Sequence, residues 1–319
     1  MLEFRKRDLI KACYYPSVFL QWVLPVCGIQ KWVLIDHRLW NIIVSSAMLE
    51  ALYKNGRTEF SELLVENLTT NFVNRKKFIP DYREKYLPAK QVNSTFTVSF
   101  RYTLQLFLEV VYPLGLKPFL AFGTLLGHER EGAFLPWDLD IDLGIIDEDT
   151  DFQDLIDAIK KSPFKILECS VNKYPYKIKC GLKGAPVVEL IIFKKEADFF
   201  LTYAEIMELP VKRKRTQFTL KKSSMDGLDV YIPADPNLFL TENYGDWQNP
   251  RTIYHYLFDS KLTDFNSCLV RFYAKKYFYE LLSNGNHEKV RYYLHLFERK
   301  FPEEQLWKKI KDKLISQLP

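Results

Sequence analysis

Phe122-Gly123-Thr124-Leu125-Leu126-Gly127, then Arg130 and Gly132, then Pro136-Trp137-Asp138-Leu139-Asp140-Ile141-Asp142-Leu143-Gly144, is the stretch whose reading decides the fold. Residues 117–122 read as a short strand running into Gly123-Thr124, and 125–131 as a short helix closed by Gly132. A strand that turns through glycine into a helix offers backbone N–H groups to a phosphate, with no side chain in the way. Pro136 then leads into a strand over 138–144. Alternate strand residues share a face, so Asp138, Asp140 and Asp142 are expected to project together while Leu139, Ile141 and Leu143 face the core. Neighbouring carboxylates then stand about 6.6 Å apart along the strand, which lets two converge on one divalent ion or a close ion pair. Asp140 and Asp142 form the expected pair, with Asp138 supporting them or holding a second ion. Oxygen-only ligands favour Mg2+ or Mn2+ over zinc. Taken alone, three alternating aspartates read equally well as a solvent-facing strand edge, and a lone Gly-Thr as an ordinary helix start.

Outward from this stretch, residues 98–112 carry apolar side chains at helical spacing, stopped by Pro113 and Gly115. An acidic helix is expected at 150–161, and strands at 165–169, 176–181, 187–193 and 228–233. The lone acid of the apolar 187–193 strand is Glu189, costly there unless paired or metal-bound. Strands and helices in this order predict an α+β fold, a mixed twisted sheet with flanking helices, extended by helical segments at both ends. Four segments follow: a basic N-terminus and candidate membrane anchor (1–35), a helical lead-in (36–96), a catalytic domain (97–262) and a C-terminal helical extension (263–319).

The chain of 319 residues has ordinary globular proportions, and its net charge of +5 is too mild for a dedicated nucleic-acid binder. Such a surplus favours anionic ligands in general, phosphates and nucleotides among them. The Lys212-Arg213-Lys214-Arg215 run reads as a solvated loop, or else as one that contacts phosphate. Five scattered cysteines include no Cys-x-x-Cys pair, which argues against a structural zinc site. Cys169 and Cys180 read either as a bridge, in an oxidising lumen, or as buried free thiols. Basic residues at 5–11 precede an apolar stretch at 16–35 interrupted by Gln21, Pro25, Gly28, Gln30 and Lys31. It reads equally as a span that leaves the rest of the chain luminal, in the Golgi or endoplasmic reticulum, and as a buried or interfacial segment of a cytoplasmic protein. Two sequons, at Asn67 and Asn93, are compatible with a lumen without deciding for it.

The order strand, Gly-Thr, short helix, Asp-x-Asp strand is the layout of a nucleotidyltransferase-fold site. The quoted 122–144 block resembles the signature of the LicD/fukutin family, as does a second block. That block comprises Val230-Tyr231-Ile232-Pro233-Ala234-Asp235-Pro236, then Leu240 through Asn243-Tyr244-Gly245-Asp246-Trp247. The resemblance covers about residues 98–255 and implies transfer of a phospho-alcohol, of the ribitol phosphate or phosphocholine type, from a CDP-activated donor to a glycan or glycoprotein hydroxyl. It implies further that Asp140 and Asp142 hold a metal ion on the donor diphosphate. Gly123 and Thr124 would contact phosphate, and Arg130 would neutralise charge on the transferred group unless it is spent on a neighbouring carboxylate. Glu189 would be the third carboxylate, as ligand or base, although the family more often has aspartate there. Trp137, Tyr244 and Trp247 would stack on a base or sugar, or else pack as core. The zinc-binding cysteine cluster of some fukutin-type members has no counterpart here. Two other readings stay open: a metal-dependent glycosyltransferase with a nucleotide-sugar donor, and a non-catalytic partner in glycan synthesis.

Overall fold

A computed structural model describes residues 49–56, 58–74, 96, 98–171, 177–283 and 285–316. In chain order they form helix α1 (Thr58–Asn74), helix α2 (Phe100–Val111), strand β1 (Phe119–Leu120), helix α3 (Phe122–Glu131), strand β2 (Asp140–Ile146) and helix α4 (Phe152–Lys161). Strands β3 (Lys165–Cys169), β4 (Lys177–Gly181), β5 (Val187–Lys195), β6 (Phe199–Ile206), β7 (Leu209–Thr216), β8 (Leu220–Met225) and β9 (Leu228–Pro233) follow. Helices α5 (Pro236–Tyr244), α6 (Cys268–Ser283), α7 (His287–Lys300) and α8 (Gln305–Ile315) complete the set. The chain divides into two compact units, Glu84–Asp264 and a second made of Met1–Arg83 with Phe265–Pro319.

The Glu84–Asp264 unit has the expected α+β class, with a sheet of order β3-β4-β5-β2-β1-β9-β8 from which β6 and β7 branch off β5. It is mixed: β2 runs parallel to β5 and β1 parallel to β9, while β1–β2 and the remaining pairs are antiparallel. Parallel neighbours buried on both faces read as continuous apolar runs. Ile141, Leu143 and Ile145 of β2 and Val188, Leu190 and Ile192 of β5 supply that centre. Gly144 faces Phe119 across the β1–β2 pair, where any side chain would run into the Phe119 ring. Helix α2 buries Phe100, Leu104, Phe107, Leu108 and Val111 on one stripe, and Ser99 caps it by accepting the Tyr102 N–H. Asp151 caps α4 and Asp235 caps α5 in the same way, so each helix starts where the sequence provides an oxygen.

Three expectations need correction. The aspartate strand begins at Asp140, not 138. Asp138 sits in the turn before it, its N–H donating to the Leu135 carbonyl at 3.2 Å. Alternation therefore starts two residues late, and Leu139 is exposed (58 %) while Ile141 and Leu143 are buried. Helix α3 begins at Phe122, which takes Gly123 and Thr124 into its first turn. The Lys212–Arg215 run is no loop. It lies in β7, where period-two alternation turns Arg213 and Arg215 into the interior and Lys212 and Lys214 out. Arginine tolerates burial when its N–H groups find acceptors. Arg215 donates to the Phe239 carbonyl, Glu242 and Asn243, and stacks on the Phe239 ring at 3.8 Å, while Arg213 donates to Asn243 and Ser260.

The second unit is helical where it is described, through α1, α6, α7 and α8. The buried Lys275 of α6 is matched by Glu62, Glu66 and Glu304 at 2.8–3.4 Å, so its charge is fully paired. The candidate anchor at 16–35, Cys13, Cys27 and the Asn93 sequon lie outside the described residues. Among the described residues no helix is long and apolar enough to cross a membrane. Cys169 and Cys180 are free, one exposed and one buried, and sit out of register on β3 and β4.

Candidate active site

The site begins at the joint between β1 and α3. Phe122 takes a φ of 41° there, a left-handed conformation that costs a side-chain-bearing residue energy. Its ring is held against Phe193 and Phe239, with centroids at 6.2 and 5.8 Å. Ala121 has no side chain with which to cap α3. The carboxylate of Asp142 does that work: the Gly123 N–H donates to its Oδ2 at 2.9 Å, an anion seated on a helix N-terminus. Asp142 is also held by its backbone, since its N–H donates to Thr124 Oγ1 at 2.8 Å and its carbonyl accepts the Ala121 N–H at 3.1 Å. Gly123 is small because of these acids. A Cβ on it would stand 3.2 Å from Asp142 Oδ2 and 3.3 Å from Asp138 Oδ2.

Thr124 therefore differs from its expected role as a phosphate contact. It is fully buried, and its hydroxyl fixes Asp142. Arg130 differs as well. Its Nε and Nη2 both donate to the Trp247 carbonyl, so most of its fork ties α3 to the 245–264 loop rather than facing a developing charge or a carboxylate.

The parallel register of β2 and β5 sets Glu189 beside Asp142. Asp140, Asp142 and Glu189 each offer a carboxylate oxygen within 4.8 Å of the other two. The trio that geometry assembles takes Glu189, the third carboxylate that the family resemblance implied, and leaves Asp138, the supporting acid of the sequence reading, outside it. Burial first, then Asp140, and more weakly Glu189 and Asp138, hold the Asp142 carboxyl well above the usual range, against the opposing Gly123 N–H. Burial and Glu189 raise Asp140, opposed by Lys179. Burial and then Asp140 push Asp138 up to about 7. Carboxylates driven toward neutrality by burial and by one another gain from a divalent cation in their midst. An all-oxygen donor set suits a hard one. On that chemistry Asp140, Asp142 and Glu189 fit a metal ion.

A pocket of about 300 Å³ opens beside the trio, walled by Gly123, Arg130, Trp137, Asp138, Tyr244 and Arg251 among others. Asp138 Oδ2 is buried there without a hydrogen-bond partner. Trp137 is half exposed (47 %), whereas Trp247 is buried and donates its indole N–H to Asn237 at 3.0 Å. Of the three aromatics singled out from the sequence, Trp137 is thus an open wall and Trp247 is core. Burial is also the main cause that raises the Tyr244 phenol, ahead of Tyr254, Asp142 and Asp138.

Two charged residues at the site escaped the sequence reading. Lys179, directly opposite Glu189 on β4, bonds it. That pairing is legible only once the strand register is known. Arg251 lies in an irregular loop with no local signal.

Residues 115–235 match the family model described as "LicD/FKTN/FKRP, nucleotidyltransferase domain". Curated relatives include an uncharacterized protein of Rickettsia typhi, 30% identical over 162 residues (48% of this chain, 50% of that protein). They also include the ribitol-5-phosphate transferase FKTN of Mus musculus, 26% identical over 210 residues (64% of this chain, 40% of that protein). The chain therefore spans half or less of the length of these two relatives. A crystal structure of ANT(2")-Ia in complex with adenylyl-2"-tobramycin aligns at a TM-score of 0.34 and 12% identity, over 62% of this chain and 97% of that one. All the assembled acids, the Gly-Thr joint and Arg130 fall inside the 115–235 segment that matches the LicD/FKTN/FKRP nucleotidyltransferase-domain model.

Proposed function

We propose that this chain is a metal-dependent phosphotransferase that moves a phospho-alcohol from a CDP-activated donor to a glycan hydroxyl. One observation carries the reading. Two parallel strands of a LicD/FKTN/FKRP domain bring Asp140, Asp142 and Glu189 within 4.8 Å of one another, beside a pocket walled by Asp138 and two guanidinium groups. The similarity to a ribitol-5-phosphate transferase supports a ribitol-phosphate-type donor, with phosphocholine and glycerol phosphate as the competing cargoes.

Asp140, Asp142 and Glu189 would hold Mg2+ or Mn2+. Such an ion neutralises the donor diphosphate and the charge that develops on the leaving phosphate. The protein supplies position. Gly123 and Thr124 keep Asp142 fixed, so little reorganisation is needed when the donor arrives. The acceptor hydroxyl oxygen attacks the phosphorus that bears the alcohol. A new O–P bond forms on one side as the P–O bond to CMP breaks on the other, and the hydroxyl proton passes to a carboxylate. Asp138 is better placed for that proton than Glu189. Its Oδ2 has no hydrogen-bond partner and its carboxyl lines the pocket, whereas Glu189 is bonded to Lys179.

The test is calorimetric titration of CDP-ribitol, CDP-choline and CDP-glycerol into wild type and Asp140→Ala/Asp142→Ala, with and without magnesium. Magnesium-dependent binding of one donor, lost in the double variant, is the expected result, and it names the alcohol. Absence of binding by every CDP compound rejects the reading in favour of a nucleotide-sugar donor or a non-catalytic role.

A further inference from the structure

The pocket beside Asp138 contains two guanidinium groups, and they are in different states. Arg130 is committed: its Nε and Nη2 both donate to the Trp247 carbonyl. Arg251 has no hydrogen bond or ion pair among the described residues, yet it lines the same pocket as Gly123 and Asp138. Its loop is fastened on both sides of it. Upstream, the Trp247 carbonyl is held by Arg130, the Trp247 indole by Asn237, and the Trp247 N–H by the Gly245 carbonyl. Downstream, the Tyr254 hydroxyl donates to the Asn243 carbonyl at 3.3 Å and its ring packs on Tyr244 at 5.2 Å. Farther on, the Lys261 N–H donates to the Glu242 carbonyl at 2.9 Å.

A guanidinium with no hydrogen bond or ion pair among the described residues, carried on a pinned loop into a pocket that abuts a carboxylate cluster, is placed for an anionic ligand. Its planar fork matches phosphate oxygens two at a time. We propose that Arg251, and not Arg130, is the guanidinium that contacts the phosphates of the nucleotide donor, and that Arg130 is a positioning residue that holds the Arg251 loop through Trp247. This rests on the CDP-donor reading above and deepens it. Arg251 lies outside the 115–235 family match, so the assignment comes from the pocket alone.

The full chain, with magnesium held constant, is titrated calorimetrically with CDP, CMP and cytidine as wild type, Arg251→Ala, Arg251→Lys and Arg130→Ala. A charge-assisted contact to phosphate predicts a roughly ten- to hundredfold loss of CDP affinity in Arg251→Ala. The same variant should bind cytidine nearly as wild type does, and Arg251→Lys should recover part of the loss. Arg130→Ala should weaken CDP too, and combining it with Arg251→Ala should add little, because both act on one contact. CDP binding by Arg251→Ala at wild-type strength overturns the assignment while leaving the donor reading intact. An equal loss for CDP and cytidine also overturns it, by putting Arg251 on the nucleoside. If the wild type itself binds no cytidine nucleotide, the donor reading fails and this inference falls with it.

Discussion

Strand β2 alternates acids with apolar residues, strand β7 carries four consecutive cations, and the molecule treats their charges in opposite ways. In β7 the inward Arg213 and Arg215 are answered inside the protein, by Asn243, Glu242, Ser260, the Phe239 carbonyl and the Phe239 ring. In β2 Asp140 and Asp142, on the face opposite the buried Ile141 and Leu143, meet another acid, Glu189, and the neighbouring Lys179 is bonded to Glu189. Buried charge whose N–H groups mostly find acceptors is a structural fastening. Buried charge of one sign left with a surplus is a place for a ligand of the other sign. Clustering is the same in both strands, and satisfaction is what separates them.

The sharpest way to break that comparison is Arg215→Ala. It leaves Glu242 and Asn243 short of a partner and should cost about 3–5 kcal/mol, measured by urea unfolding. Protein that remains folded should still bind magnesium like wild type. Asp140→Ala/Asp142→Ala should do the reverse, losing the ion without a comparable loss of stability. If both strands respond alike, the distinction is wrong.

Thr124→Val comes next. It strands the Asp142 backbone N–H at a cost of about 1–3 kcal/mol, while Thr124→Ser keeps the acceptor and most of the stability. If the threonine acted on the ligand alone, neither change would move the unfolding midpoint.

The acid strand also has a pH signature without metal. Asp138 is raised from 3.8 to about 7 in the folded protein, so the folded state favours its protonated form. Its contribution is full below the unfolded value and is lost as pH rises from about 4 to about 7. In chelator, the melting temperature of wild type should therefore rise relative to Asp138→Asn as pH falls from 8 to 5.5. Parallel melting curves for the two proteins would remove the electrostatic half of the comparison.

The smallest effects belong to the outward lysines of β7. Lys212→Ala and Lys214→Ala should each shift stability by no more than about 0.5 kcal/mol. For Lys214 this includes its exposed contact over the Phe199 ring at 4.8 Å. A larger loss would mean that the basic strand works as a charged face and not through its two arginines.

Local chemistry was enough for much of the molecule. Ser99, Asp151 and Asp235 announce helix starts because an oxygen there meets free N–H groups. The apolar runs of β2 and β5 announce a buried sheet centre. Strands β7 and β8 went unread because β7 carries four consecutive cations and β8 is polar at four of its six positions, so neither shows the apolar period that marks a strand.

By itself the sequence determined the α+β class, the Gly-Thr joint, the acids and the family resemblance of the domain. Each of those is a property of residues close together along the chain. Tertiary structure alone decided the register that sets Glu189 beside Asp142, that Thr124 serves Asp142 rather than a ligand, that Arg130 is spent on Trp247, and that Arg251 has no hydrogen bond or ion pair among the described residues. The physical reason is that strand register and loop closure bring residues 18 to 117 positions apart within bonding distance. Whether a polar group has a partner depends on that distance, which no local pattern encodes.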